Sequence, residues 1–367
     1  MPGLQPAEAS MGLGMVSKIR IGLVGAGWIG SEHGRNVMAN PAAELAGIAD
    51  AEPANIVRFV KASGAACPTF SDYRELLRSD VDAVVIASPN GMHASMCVEA
   101  ARAGKHIYCE KPMAITLDDC RRVREAVEKA GVKYLIGYHR RLNPLYAYAK
   151  NLLTEGRLGT AFMVESDYLH HVPGDWDIWS WLGKEKIAGS LFHAGGGHNV
   201  DLIRYFCGEI TDVACMKGVY LPRPNQVETE DTALAIFRFA GGAIGKVQFC
   251  CGPVVPFTFR FGLYGTKGSV VGNRVWLEDI PRYDQPGHER DGITLPECWI
   301  PDNVQGGVSE TWKAHMDHFI AMLVSDVPCL NDVASAYQTS IACFAAVRAA
   351  KENRVVAMKE MEPGFHG

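Results

Sequence analysis

The sequence predicts an α/β domain on a parallel sheet, followed by an α+β domain on a large, mostly antiparallel sheet. Three observations carry this. Strand-like apolar runs alternate with helical patterns through the first third of the chain. The segment Gly25-Ala26-Gly27-Trp28-Ile29-Gly30 stands between the first such run and the first helical pattern. After about residue 155 the periodicity changes to short β segments punctuated by glycine.

Taken in order, residues 1–17 lack the basic start and apolar core of a signal peptide. They read as a disordered arm, or as one whose Leu4, Met11, Leu13 and Met15 clasp a neighbouring subunit. Apolar runs follow at 19–24, 44–49, 82–87, 105–109 and 133–138. Helical patterns near 28–39, 53–63, 92–103 and 117–130 separate them. Such β–α alternation builds a parallel sheet covered by helices on both faces. The first domain is therefore assigned to 18–140 and the second to 141–367.

In the second domain, 160–168, 210–220, 231–239, 243–250, 258–264 and 269–276 read as strands, with Ala240-Gly241-Gly242 as a hairpin turn. One helical stretch, near 193–207, interrupts them. Residues 278–305, rich in Pro, Asp and Gly, read as a long loop, and helical patterns return at 309–325 and 332–351.

The glycine segment fits a dinucleotide. Gly25 permits a tight turn, Gly27 lets backbone approach a pyrophosphate, and Gly30 lets helix and strand pack closely. Trp28 and Ile29 open the helix whose N–H groups would hold the phosphates. Asp50 closes the next apolar run, twenty residues beyond Gly30. A carboxylate there accepts from ribose hydroxyls and repels a 2′-phosphate, and the first cation after it is Arg58. The cofactor is thus expected to be NAD rather than NADP. The competing reading makes Asp50 a helix N-cap ahead of Pro53.

Ligands bind such sheets beyond the carboxyl ends of the strands. Two loops lie there, Ser88-Pro89-Asn90-Gly91-Met92-His93 and Cys109-Glu110-Lys111-Pro112, and Ser88, Asn90, His93, Glu110 and Lys111 are expected beside the cofactor. A lysine in that place supplies fixed charge that favours a substrate alkoxide. In the second domain, His198 and Asp201 share a helix face. Asp201 would either orient the imidazole or support the helix. Substrate contacts are expected from Tyr168 and His170, from Trp176 in the stretch Asp175–Trp181, and from Arg140, Asn143, His193 and Asn199. The tryptophans have a second reading, as core or interface residues.

Composition bounds the rest. Of 367 residues 48% are hydrophobic and 21% charged, ordinary for a globular enzyme, and the net charge of −5 argues against nucleic acid. No apolar stretch approaches membrane-spanning length. Eleven cysteines without C-x-x-C pairs fit free thiols, hence a reducing, cytoplasmic setting. His170, His171, His193 and His198 show no firm ligand spacing, so no metal is expected.

The fingerprint, the Ser-Pro-Asn-x-x-His loop, Glu110-Lys111-Pro112 and His198-x-x-Asp201-Leu202 together resemble the glucose–fructose oxidoreductase/inositol dehydrogenase (Gfo/Idh/MocA) family over residues 18 to about 350. The resemblance implies a Rossmann domain, an open-faced sheet domain and homo-oligomers formed through those sheets. It implies an NAD-dependent dehydrogenase acting on a secondary hydroxyl of a sugar, glycoside or cyclitol, with Lys111 and His198 as the catalytic pair. Many members carry an aspartate where this chain has Ala194, so either His193 substitutes or Lys111 and His198 act alone. The aromatic stretch favours oxidation of a glucoside at its 3-position. Alternatives are a redox-neutral transhydrogenase or glycosidase, and a non-catalytic NAD(H)-sensing regulator.

Overall fold

The computed structural model describes residues 18–173, 178–220, 227–278, 293–294 and 307–362. The first sheet comprises β1 (Ile19–Val24), β2 (Ala43–Ala49), β3 (Thr69–Phe70), β4 (Ala83–Ile86), β5 (His106–Cys109) and β6 (Tyr134–Ile136). All are parallel, in the order β3-β2-β1-β4-β5-β6. Because neighbouring residues on a strand face opposite ways, each strand feeds two cores. Leu23, Val85, Tyr108 and Leu135 face one, and Val84, Ile86, Ile107 and Ile136 the other. Strand segments buried on both faces must be apolar, which is why these runs do not alternate with polar residues and carry Arg20, Glu44 and His106 only at their less buried starts. The order reverses between β1 and β4, where a crevice opens at the strand ends.

The chain crosses back late. Helix Gly307–Ser325 lays Met316, Phe319, Ile320 and Met322 against Ile21, Leu23 and Val37. A helix from the last sixth of the sequence thus completes the core beneath the glycine segment, bringing Thr311 and Trp312 to the crevice.

The second sheet has nine strands: β7 (Ala161–Leu169), β8 (Ile210–Gly218), β9 (Thr232–Phe239), β10 (Ile244–Cys250), β11 (Phe261–Gly265), β12 (Gly268–Val271), β13 (Arg274–Leu277), β14 (Ile293–Thr294) and β15 (Val356–Ala357). Their order is β14-β13-β12-β11-β7-β10-β9-β8-β15, antiparallel except for the parallel pair β7–β10. Strand β9 shows why one face is covered and the other open. Ala233, Ala235, Phe237 and Phe239 are buried, whereas Leu234 and Ile236 are about half exposed. Helices Gly197–Cys207 and Val333–Glu352 pack on the covered face.

Several sequence expectations need correcting. The stretch expected as one strand over 269–276 is the hairpin β12–β13, turned at Gly272 with φ +57°. The helix expected from 193 begins instead as a π-helical turn, Phe192–Gly196, and becomes α-helical at Gly197. Helices Tyr73–Arg78, Pro144–Thr154, Trp179–Leu182 and Glu185–Ala188 were not anticipated, being short or masked by aromatic residues. The arm 1–17 and all but two residues of the expected loop after 278 lie outside the described residues. The ten described cysteines are free thiols, and no described helix is long and apolar enough to cross a membrane.

Candidate active site

The glycine segment is shaped for a nucleotide. Gly25 has φ +90°, and a Cβ on Gly30 would fall inside the Gly25 carbonyl, so helix Trp28–Ala39 abuts the turn. At Gly27 a Cβ would meet nothing within 4 Å. That helix has no side-chain cap and no acid in its first turn, which leaves its N–H groups to an anion. Asp50 Oδ2 accepts from Ala26 N at 2.7 Å, and Oδ1 accepts from Glu52 N at 2.8 Å. The carboxylate therefore pins the glycine turn from the end of β2. The N-cap of helix Pro53–Ser63 is Glu52, not Asp50. Trp28 is 73% exposed and meets Trp312 edge to face at 5.4 Å. Ile29 is half-buried beside it.

Two loops frame the crevice next to this segment, and a histidine ties them together. His93 Nδ1 donates to Pro112 O at 2.7 Å and Nε2 donates to Ser88 O at 2.8 Å. Two carbonyls accept only, so both ring nitrogens must carry protons. Burial opposes the charge, but the Cys109 sulfur and the two carbonyls prevail, and the pKa rises to about 9. His93, expected to touch the cofactor, has both nitrogens committed to the loops. Ser88 Oγ lies 3.1 Å from Met96 Sδ, and buried Asn90 donates across the crevice to Ala188 O at 3.0 Å. Glu110 is likewise internal: its Oε1 accepts from His33 Nε2 at 2.7 Å and its Oε2 from Lys111 N at 3.1 Å. Burial works against this carboxylate, yet the His33 hydrogen bond holds its pKa below the ordinary value.

Lys111 precedes a cis peptide to Pro112, and its ammonium donates to Ala194 O at 3.4 Å. It thereby reaches the π-helical turn that leads into the helix of His198. Gly195 lets this turn pack closely on β10, since a Cβ there would lie 2.5 Å from the Phe249 ring. His198 is buried between two rings, Tyr138 at 5.6 Å and His139 at 5.1 Å, both edge to face. Its Nδ1 is buried without a hydrogen-bond partner. Burial, His139 and the charges of Lys111 and Arg140 push its pKa well below the ordinary value, so the ring is neutral.

Other expected residues lie elsewhere. Asp201 is fully buried and held by Arg141, with Asn331 Nδ2 3.0 Å away, so it supports the helix and does not orient His198. Asn143 caps helix Pro144–Thr154 through Leu145 N at 2.9 Å. Asn199 donates to Ser166 Oγ at 2.6 Å in the contact between helix and sheet. The His193 ring packs on Phe344, with Nε2 3.2 Å from Ser340 Oγ, which seats it in the core beneath the site. Trp176 lies outside the described residues, and Trp179 of the same stretch is a core residue. Tyr168, His170 and Arg140 do come together: the Tyr168 hydroxyl is 3.2 Å from His170 Nδ1, and Arg140 lies over the Phe259 ring. No group of three or more His, Cys, Asp or Glu among the described residues could hold a metal ion.

Sequence reasoning missed His33, His139, Thr311, Trp312, Phe257 and Phe259. His139 Nδ1 lies 2.9 Å from Thr311 Oγ1, a pairing across 172 positions that no local pattern announces. His33 was the exception within reach, lying in the helix that follows the glycine segment.

The nucleotide cradle, the lysine at the adjoining strand end and the neutral histidine across the crevice define an NAD-dependent oxidoreductase. The chain belongs to the Gfo/Idh/MocA family. Residues 19–138 match the model described as oxidoreductase family, NAD-binding Rossmann fold, and residues 146–271 match the family's C-terminal domain. An uncharacterised oxidoreductase, YrbE of Bacillus subtilis, is 33% identical over 70% of this chain and 74% of its own length. Levoglucosan dehydrogenase of Pseudarthrobacter phenanthrenivorans is 30% identical over the same shares, 70% and 74%. Inositol 2-dehydrogenase of Rhizobium meliloti is 27% identical over 93% of this chain and 99% of that one. Among solved structures, levoglucosan dehydrogenase in complex with NADH superposes with a TM-score of 0.84 at 26% identity, covering 93% of this chain and 99% of that one. The relatives thus include sugar and cyclitol dehydrogenases, and this chain is an oxidoreductase of the same family with an NAD-binding Rossmann domain.

Proposed function

We propose that the protein oxidises a secondary ring hydroxyl of a sugar or glycoside to a ketone, with the 3-position of a glucoside as the particular target. The observation that carries this reading is the Lys111 ammonium at Ala194 O, which brings a fixed cation from one domain to the turn preceding His198 in the other.

The residues then divide the work. Lys111 donates to the substrate oxygen and stabilises the alkoxide as it forms. His198, neutral because it is buried among positive neighbours, takes the hydroxyl proton on Nε2, its Nδ1 being enclosed. NAD⁺, held by the glycine segment and Asp50, supplies the acceptor for the hydride leaving the carbinol carbon. Ala194 and the inward seating of His193 favour a relay of Lys111 and His198 alone.

Sugar relatives support the substrate class: levoglucosan and inositol dehydrogenases are among the proteins it resembles. Incubation with NAD⁺ and a panel of sugars, glycosides and cyclitols tests the reading through NADH absorbance. Net NADH from a glucoside, with a 3-oxo product by NMR, supports it. Absence of net NADH with tightly retained cofactor would instead support a redox-neutral transhydrogenase or glycosidase.

The open sheet face is proposed to pair with a second copy. Met216, Leu234, Ile236 and Ile244 share it and are exposed, and such a patch is unusual on a monomer. A monomer mass in light scattering would remove this.

A further inference from the structure

The strand pairing at the crevice end of the second sheet gathers four rings on one side. Leu169, the last residue of β7, and Thr258, just before β11, pair through two hydrogen bonds of 2.8 and 2.9 Å. Residues on either side of a paired position project together to the opposite face. Tyr168 and His170 from one segment, and Phe257 and Phe259 from the other, therefore form a single block. His170 and Phe257 lie close and tilted, at 4.1 Å and 33°, while Tyr168 meets Phe257 at 5.4 Å and Phe259 at 5.1 Å. None of the four is fully buried.

This block borders the catalytic pair. Tyr168 packs against the Gly195 position, one residue after the carbonyl that receives Lys111. Arg140, whose charge helps depress the pKa of His198, lies over the Phe259 ring. Of the polar groups in the block, the Tyr168 hydroxyl and His170 Nδ1 are turned on each other. A bare polyol laid here could offer these rings only its C–H faces, and they would give its hydroxyls few partners. An apolar or aromatic group would stack instead.

We propose that Tyr168, His170, Phe257 and Phe259 form a subsite for the aromatic or other apolar aglycone of a glycoside whose sugar ring is oxidised at Lys111 and His198. This rests on the reading given under Proposed function and adds the part of the substrate that the sheet domain selects.

The test uses the full-length protein with NAD⁺, following NADH with methyl and phenyl glucosides of both anomers and with myo-inositol. Phenyl should exceed methyl glucoside in kcat/KM by about tenfold, mostly through KM. Phe257→Ala should bring that ratio to about twofold or less, while Phe257→Tyr keeps it, melting curves confirming that both variants are folded. Equal kcat/KM for methyl and phenyl glucosides in the wild type, or an undiminished ratio in folded Phe257→Ala, overturns the subsite while leaving the oxidation of sugars standing. NADH from none of these compounds overturns the oxidation itself and the subsite with it.

Discussion

Arg141 grips Asp201 at two points, Nε to Oδ2 at 2.9 Å and Nη2 to Oδ1 at 2.6 Å. The carboxylate three residues on from His198 is therefore committed to a buried ion pair, and among the described residues the imidazole Nδ1 has no hydrogen-bond partner. Its ring is fixed by Tyr138 and His139 instead.

Removing one member of a buried pair strands the other. Asp201→Ala should therefore cost about 3–5 kcal/mol in denaturant unfolding. Turnover per folded molecule, measured at low temperature, should change far less than in a His198 variant. A loss of turnover with unchanged stability would return Asp201 to the chemistry.

The depressed pKa of His198 sets a pH profile. The ring acts as base only when neutral, so a pKa well below 6.5 leaves it competent through neutral pH and on into mild acid. The acid limb of kcat/KM should lie well below pH 6.5. Lys111→Met removes one of the charges that depress it, so histidine NMR of that variant should show His198 titrating higher. A limb at or above 6.5 would contradict the burial argument.

His93 works in the opposite sense. Its folded pKa of about 9 exceeds the ordinary 6.5, so its contribution is complete below about pH 6.5 and fades as pH rises through 9. Stability should fall over that window by up to about 3 kcal/mol, and His93→Gln should flatten the slope. Unfolding curves at a series of pH values from 6 to 10 measure this directly.

Asp50 pins the glycine turn, and we propose that it also accepts from the ribose of NAD. Asp50→Ser should raise KM for NAD⁺ by roughly tenfold and narrow the preference over NADP⁺, with kcat changing less. Initial rates with both cofactors decide it; an unchanged preference would free Asp50 of the ribose role.

Much of the fold was legible because its signals are local. The runs forming β1, β2, β4 and β5 are apolar except for Arg20, Glu44 and His106 at or near their starts, and the glycine segment and Asp50 lie within one βαβ unit. The site was legible only in part. Lys111 and His198 announce themselves by motif, but what surrounds them arrives from remote sequence: Thr311 and Trp312 from the returning helix, Phe257 and Phe259 through pairing with β7. Polar residues proved the least readable. Asn143, Asn199, Asp201 and His193 look the same in sequence whether they meet a ligand or satisfy a buried partner, and the structure gives each a partner.

Turnover of Lys111→Met, His198→Asn and the double variant, each with NADH binding checked by fluorescence titration, tests the central claim most directly. If the two groups act as one unit on one hydroxyl, each single change should lower kcat by about a hundredfold or more, and the double should fall little further, with NADH still bound. Near-normal turnover in either single variant, or losses that simply multiply, would contradict it.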